Sequence, residues 1–330
     1  MNIRVIVVAC VIIGAIIASL CQTVAQTTRV AFYNVENFFD TKNDSLRNDD
    51  AFTPRGTNHW TQQRYEHKRN CIFKVIASMA YPAVLGLAEV ENAEVVEELC
   101  KATPLRKKKY DWIHFDSPDS RGVDCALLYR RDCVRLIAAE AIPVSTEDYK
   151  TRDVLMFGGV TTSGDTLYTL VCHLPSKLGG ELARSHRGRI AKVMRNVADT
   201  IATNHPNAVV VVMGDFNEDM YEDDYRESFG FVDGFVNKEG FEDLMYSIKQ
   251  DIGTHNFGGR WSCLDHILVK LPKDESWETP NAIIFDAPFL LQSDDRHLDV
   301  KPFRTYVAMN YKGGYSDHLP IYVDLKKSVR

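Results

Sequence analysis

The residues with chemistry in them arrive in a recurring pattern, a polar or charged side chain just after an apolar run. Asp215 and Asn217 follow Val209-Val-Val-Val-Met-Gly214. A carboxylate and an amide two residues apart, on the rim of a rigid strand, suit the orientation of water and the grip on a phosphate oxygen. An ordinary turn is the other reading of Gly-Asp-Asn. Asn34 follows Arg29-Val-Ala-Phe-Tyr33, and Glu89 follows Ala83-Val-Leu-Gly-Leu-Ala88. His173 follows Leu167 to Cys172, Asp265 opens another apolar run, and Asp317-His318 stands before the last one. Hard oxygen donors without cysteine suit Mg²⁺, with Mn²⁺ or Ca²⁺ as alternatives, rather than zinc. Two histidines beside acids suit proton transfer near neutral pH. Hydrolysis of a phosphodiester needs a cation against the negative charge, a base for water and donors to the phosphoryl oxygens. Each has a candidate here.

Positioning such groups takes an apolar scaffold. The valine run is apolar on both faces, as in a central strand covered on both sides. Further strands are expected over Thr28–Tyr33, Pro82–Ala88, Leu264–Val269 and Ile321–Leu325. Val123–Tyr129 with Val134–Ile142, and Val154–Val160 with Leu167–Cys172, read as two hairpins, the second turned by Ser163-Gly-Asp165. Helical spacing predicts helices over Trp60–Met79, Glu91–Cys100 and Glu181–Thr203. Glu89 also reads as a plain helix-start acid favoured by the dipole. The polar stretch Asp40–Asn58 is expected to be a surface loop near the site.

The chain of 330 residues carries a formal net charge of −6, which argues against a general basic surface for gripping nucleic acid. Arg4, the apolar run Val5–Leu20 and the small residue Ala25 read as a signal peptide over residues 1–25. The expected protein is therefore secreted or periplasmic, one domain over 26–330, a monomer without a membrane span. Lipid anchoring at Cys21 is disfavoured by bulky Leu20 before it. Cys71, Cys100, Cys125, Cys133, Cys172 and Cys263 match no zinc spacing, and a Cys71–Cys100 pair is open.

Taken in order, Asn34-Val-Glu36, Glu89, His173, Gly214-Asp-Phe-Asn217, Leu264-Asp265 and Ser316-Asp-His318 resemble the ordered motifs of the endonuclease/exonuclease/phosphatase superfamily. The deoxyribonuclease-like branch with Asn34-Val-Glu-Asn-Phe-Phe-Asp40 is similar to secreted bacterial endonucleases. The resemblance runs from Arg29 to about Leu325 and implies a four-layer α/β sandwich, two packed mixed β-sheets flanked by helices. It implies Glu89 as the principal metal ligand, helped by Asn34 and Asp317, with Glu36 uncertain. It implies Asp215 orienting water, Asn217 on a phosphate oxygen, and His318, polarised by Asp265, and His173 bonded to phosphate. Asp124 is the candidate acid beside His173.

Three functions follow as alternatives. The first is a divalent-metal-dependent phosphodiesterase, an endonuclease on nucleic acid. The second is a phosphatase or sphingomyelinase-like hydrolase on small phosphate esters or lipid head groups, and the third a catalytically dead binding module. Lys177, Arg187, Arg189 and Arg304 are the candidate substrate cations, Lys177 and Arg304 the stronger pair. Gly179 and Gly180 could present backbone N–H groups to an anion.

Overall fold

The computed structural model describes residues 27–219, 240–248, 251–273 and 276–327. The expected signal segment 1–25 and residues 220–224 of the acidic stretch lie outside the described residues. The strands, in chain order, are β1 (Thr28–Phe38), β2 (Val84–Val90), β3 (Tyr110–His114), β4 (Asp124–Arg130), β5 (Val134–Ile142), β6 (Val154–Thr161), β7 (Thr166–His173) and β8 (Val209–Asp215). They continue with β9 (Glu242–Asp243), β10 (His255–Phe257), β11 (Arg260–Ser262), β12 (Asp265–Lys270) and β13 (Ala282–Ile284). The last are β14 (Leu291–Asp294), β15 (Asp299–Pro302), β16 (Tyr306–Val307), β17 (Asn310–Tyr311) and β18 (Ile321–Leu325). The α-helices are α1 (Gln62–Ser78), α2 (Ala93–Ala102) and α3 (Gly180–Asn204).

Two six-stranded mixed sheets carry the fold, in the orders β13-β18-β1-β2-β4-β3 and β5-β6-β7-β8-β12-β9. They pack face to face: Gly86 of β2 lies against Met213 and Val171 of the other sheet, and the Tyr129 and Phe157 rings stand 5.4 Å apart across the seam. Outside the first sheet lie α1 and α2, and α3 covers β7 and β8 of the second. The result is the expected four-layer sandwich. Val209, Val210, Val211 and Val212 are all buried, as their two-sided apolarity requires. Each contributes about 1.5–3 kcal/mol by leaving water. Thr61 and Asn92 cap the first two helices by accepting from the backbone N–H groups of Arg64 and Val95.

One pairing differs from expectation. β4 and β5 are not a hairpin: β4 pairs with β2 and β3 in one sheet, and β5 pairs with β6 in the other. Arg130-Arg131-Asp132 therefore carries the chain between sheets rather than around a turn. Two adjacent strands joined by a short polar link look alike in either case, and only the core decides. β6 and β7 do form the expected hairpin. The six cysteines that the sequence left open are free thiols, Cys71 and Cys100 included.

Candidate active site

β7 and β8 run parallel, with His173 level with Asp215, and β12 pairs antiparallel on the other side of β8, with Asp265 level with Asp215. Three chemically active side chains thus share one row at one sheet edge. The preceding row explains Gly214. A Cβ there would stand 2.2 Å from the carbonyl oxygen of Cys172, so only glycine lets the two strands close up beneath the site.

The opposite sheet supplies its residues differently. Glu89 stands one residue before the end of β2, while β1 continues past Asn34 to Phe38, with register shifts between Asn34 and Phe38 and between Ala88 and Val90. Glu36, Asn37 and Glu89 all have positive φ, as does Asn217 in the loop after β8. Non-glycine residues held there cost of order 1 kcal/mol or more each and gather where function aims a side chain. The bulges turn Glu89 and Asn34 towards the row on β7, β8 and β12.

Asn34 donates from Nδ2 to Asp215 Oδ2 at 3.0 Å and to Glu89 Oε1 at 3.4 Å. Glu89 Oε2 accepts from the Asn37 backbone at 2.9 Å. His173 Nε2 stands 3.6 Å from Asp215 Oδ2 and 3.9 Å from Glu89 Oε1. His318 Nε2 stands 3.7 Å from the same Asp215 oxygen, and its Nδ1 is 2.7 Å from Asp265 Oδ2. Asp215 Oδ1 accepts from the Asn217 backbone at 2.9 Å, while the Asn217 amide donates to Leu174 O at 3.0 Å. Asp215 therefore sits between two imidazoles, bonded to both Asn34 and the loop behind it.

Burial pushes Asp215 up to about 7 against the pull of His318, so it titrates in the range of a general base. Burial opposes a proton on His318, but the carboxylates of Asp265 and Asp215 outweigh it and raise the ring well above 6.5. For His173 burial dominates, joined by Arg152, Arg121 and His318, and its proton affinity falls well below 6.5. Its Nδ1 is buried without a hydrogen-bond partner. Asp124 does not reach it; its carboxylate accepts from Ser117 and faces His114 at 3.5 Å.

At the other rim Arg304 donates to Glu36 at 3.2 Å and to Asp317 at 2.8 Å. Glu36 also accepts from the backbones of Thr305 and Tyr306, at 2.6 and 3.4 Å. Both of its oxygens accept hydrogen bonds from the 304–306 loop. Asp317, half-buried beside His318 and Arg304, is held ionised below the usual carboxylate range although burial works the other way. His255, Asp317 and His318 can each offer an atom within 4.8 Å of the others. Carboxylate oxygens such as those of Glu89 and Asp317 are of the kind a hard divalent cation takes; Asp317 shares a cluster with His255 and His318, and Glu89 stands beside Asn34 and His173. As oriented here, Asn34 turns its NH₂ group to the acids.

The candidate cations divide. Arg187 is buried, donating to Glu218 and to Pro175 O, and Arg189 donates to Val144 O. Lys177 lies exposed in a short turn before α3, and Gly180 there donates its N–H to Lys177 O rather than presenting it outward. Several neighbours were not foreseen: Arg121, which donates to Asn37 Oδ1 at 2.6 Å and stands 3.8 Å from Glu89, and Lys68, fully buried and bonded to Thr305 Oγ1 and Tyr315 O at 2.6 Å each. His255 was also missed; its ring lies 4.9 Å from that of His318. Lys68 had a visible signal, a lysine on the apolar side of a helical repeat.

A sequence model of the Endonuclease/Exonuclease/phosphatase family matches residues 29–327. The chain belongs to that family. Its members are phosphoric ester hydrolases, and so is this enzyme; the family is generally dependent on divalent metals. Among solved structures, an endonuclease/exonuclease/phosphatase family protein from Bacteroides thetaiotaomicron is 18% identical, with a TM-score of 0.59, over 93% of this chain and 100% of that one. A mannosyl-6-phosphatase from the same organism is 18% identical with a TM-score of 0.56, covering 90% and 99%. D. rerio TDP2 complexed with a single-strand DNA product is 18% identical with a TM-score of 0.56, covering 91% and 99%. At such identities these likenesses show the fold of the family enzyme alone. No curated protein matches the chain.

Proposed function

We propose that this enzyme is a Mg²⁺-dependent phosphodiesterase acting on nucleic acid, exported by a signal peptide over residues 1–25. The observation that carries the chemistry is Asp215 set between His173 and His318, with Asp265 closing on His318 at 2.7 Å. In this reading Asp215 takes a proton from the attacking water. His318, held cationic by Asp265, donates from Nε2 to a phosphoryl oxygen. His173, held neutral, places its Nε2 beside Asp215 and Glu89, and Asn217 meets another phosphoryl oxygen once its amide leaves Leu174. Glu89 and Asp317, with Asn34, would hold the divalent cation, which supplies positive charge against the phosphate as negative charge builds.

Nucleic acid as substrate is supported by the β10–β11 hairpin. Its first residue, His255, bridges to His318, and Phe257 at its tip is 82% exposed. An exposed aromatic beside a phosphate site is a stacking platform for a base. A second reading, a small phosphate ester, is favoured by the internal engagement of Arg187, Arg189 and Arg304, which leaves fewer cations for a polyanion. The deciding experiment is a Mg²⁺-dependent panel of plasmid, single-stranded DNA, RNA, sphingomyelin, a sugar phosphate and bis-p-nitrophenyl phosphate. Turnover of DNA or RNA well above the small esters supports the first reading. Preference for the sugar phosphate supports the second, and no turnover of any substrate would sink both.

A further inference from the structure

A second group of ligand-type side chains lies away from the catalytic row. His114 ends β3, Asp124 opens β4, and Asp116 stands in the loop between them. His114 Nε2 is 3.5 Å from Asp124 Oδ2, and His114 Nδ1 is 3.8 Å from Asp116 Oδ1. The three can each offer an atom within 4.8 Å of the others. We propose that His114, Asp116 and Asp124 form a second divalent-cation site, of the zinc or manganese kind.

Two separations distinguish this from a plain histidine–aspartate pair. At 3.5 Å the Nε2 atom makes no hydrogen bond, although the His114 side chain is only 2% exposed. A buried imidazole nitrogen left without a partner carries the cost of its lost hydration. Two ligands each about 2.0–2.1 Å from one tetrahedral metal stand about 3.4 Å apart, so the same spacing is right for a shared cation. Asp124 is set for it: Ser117 occupies Oδ1 and leaves Oδ2 towards His114.

The surroundings favour a cation. Asp116 and Asp124 line a cavity of about 570 Å³ whose wall also holds Asp40, Asp44, Asp49 and Glu91. Asp49 is buried and its Oδ1 has no hydrogen-bond partner. Two basic residues also line it and offset part of that charge, Arg47 lying close enough to act on Asp124. Lys42 donates to Glu94, 4.0 Å from Asp40, and Arg47 donates to Asp119 O. A cation on Nε2 would meet Asp124 Oδ2 where it stands, and the exposed Asp116, now on the Nδ1 side, would turn to it; one imidazole with two carboxylates, and room for solvent at a fourth position, is a set that takes Zn²⁺ or Mn²⁺. The loop it would tie down carries Arg121, whose guanidinium contacts Asn37 and stands beside Glu89. The site would thereby stiffen one wall of the catalytic pocket without touching substrate.

The test is Zn²⁺ binding to the chelator-stripped protein in excess Mg²⁺, followed by calorimetry, metal content and hydrogen exchange. His114→Gln should lose one equivalent of Zn²⁺ relative to the unchanged protein. Asp116→Asn, at a side chain 78% exposed where folding is not at risk, should bind that equivalent about tenfold or more weakly. Zn²⁺ should slow exchange across residues 115–123 in the unchanged protein and not in the variants. Equal stoichiometry and affinity in the variants overturns the site. If His114→Gln does not fold, unchanged affinity in Asp116→Asn overturns it alone. None of these readouts uses hydrolysis, so the outcome is separate from the fate of the phosphodiesterase reading.

Discussion

The two histidines that flank Asp215 face the same carboxylate and differ in what stands behind them. His318 has Asp265 2.7 Å behind its ring, and His173 has a buried Nδ1 with no partner. Nearly equal distances to Asp215, 3.7 and 3.6 Å, therefore go with opposite proton affinities, raised for one ring and lowered for the other. The lesson is general: when neighbouring titratable groups are driven apart by their surroundings, the surroundings assign their roles. Asp265 behind one ring, and burial with Arg152 and Arg121 around the other, make the difference.

The change that abolishes the comparison altogether is the loss of what both rings share. Asp215→Asn should lower kcat by about 10³-fold or more, in line with removal of a general base at a site built to act as a unit. Glu89→Gln should have a comparable effect through lost cation binding, with little change in Tm. Near unchanged turnover at saturating Mg²⁺ in either variant would refute its assigned role. The next effect compares the two ends. His318→Ala and Asp265→Ala should each cost about 10²-fold in kcat, and the double variant little more than the worse single, because they act together. His173→Gln, which keeps a neutral donor, should cost less than either. If His173→Gln is the more damaging, the roles are reversed.

A third measurement uses pH and needs its sign stated. A folded-state affinity raised above 6.5 means that the His318–Asp265 pair stabilises the fold fully below about 6.5 and loses that contribution as pH rises. The lowered affinity of His173 works the other way: the stability tied to its neutral ring is present above about 6.5 and is lost as pH falls. In chelator-treated protein, the Tm difference between the unchanged chain and His318→Gln should shrink from pH 6 to pH 9. The corresponding difference for His173→Gln should shrink from pH 8 to pH 5. Parallel curves for the two would show that the rings do not differ.

The smallest effects are at the rims of the same two ends. On the His318 side Arg304 is bonded to Glu36 and Asp317, so Arg304→Ala should lower kcat as well as raise KM. On the His173 side Lys177 is exposed, and Lys177→Ala should raise KM only a few-fold and flatten the salt slope on DNA by about 0.7–0.9. An unchanged slope would return Lys177 to plain surface.

How much of this was legible beforehand depends on where each side chain's position comes from. The row His173, Asp215 and Asp265 was legible because apolar runs end where sheets end, and β7, β8 and β12 align their tips. Asn34, Glu36 and Glu89 were legible as types but not as geometry. They sit at register shifts near the ends of β1 and β2, Glu36 and Glu89 with positive φ, which no alternation of apolar and polar residues announces. Arg187 read as a cation for substrate and turned inward to Glu218, because a long helix shows one face to the core. Asp124 read as the partner of His173 and faces His114 instead.

By itself, then, the sequence determined the class of fold, the family and the residue types at the site, because burial demands apolar runs and hydrolysis of a phosphate demands a small set of donors. Tertiary structure alone decided that β4 and β5 part into different sheets, that Arg304 locks Glu36 to Asp317, and which histidine has an acid behind it. Those are contacts between residues dozens or hundreds of positions apart. Their distances are set by how two sheets pack, and no local pattern in the chain encodes a packing distance.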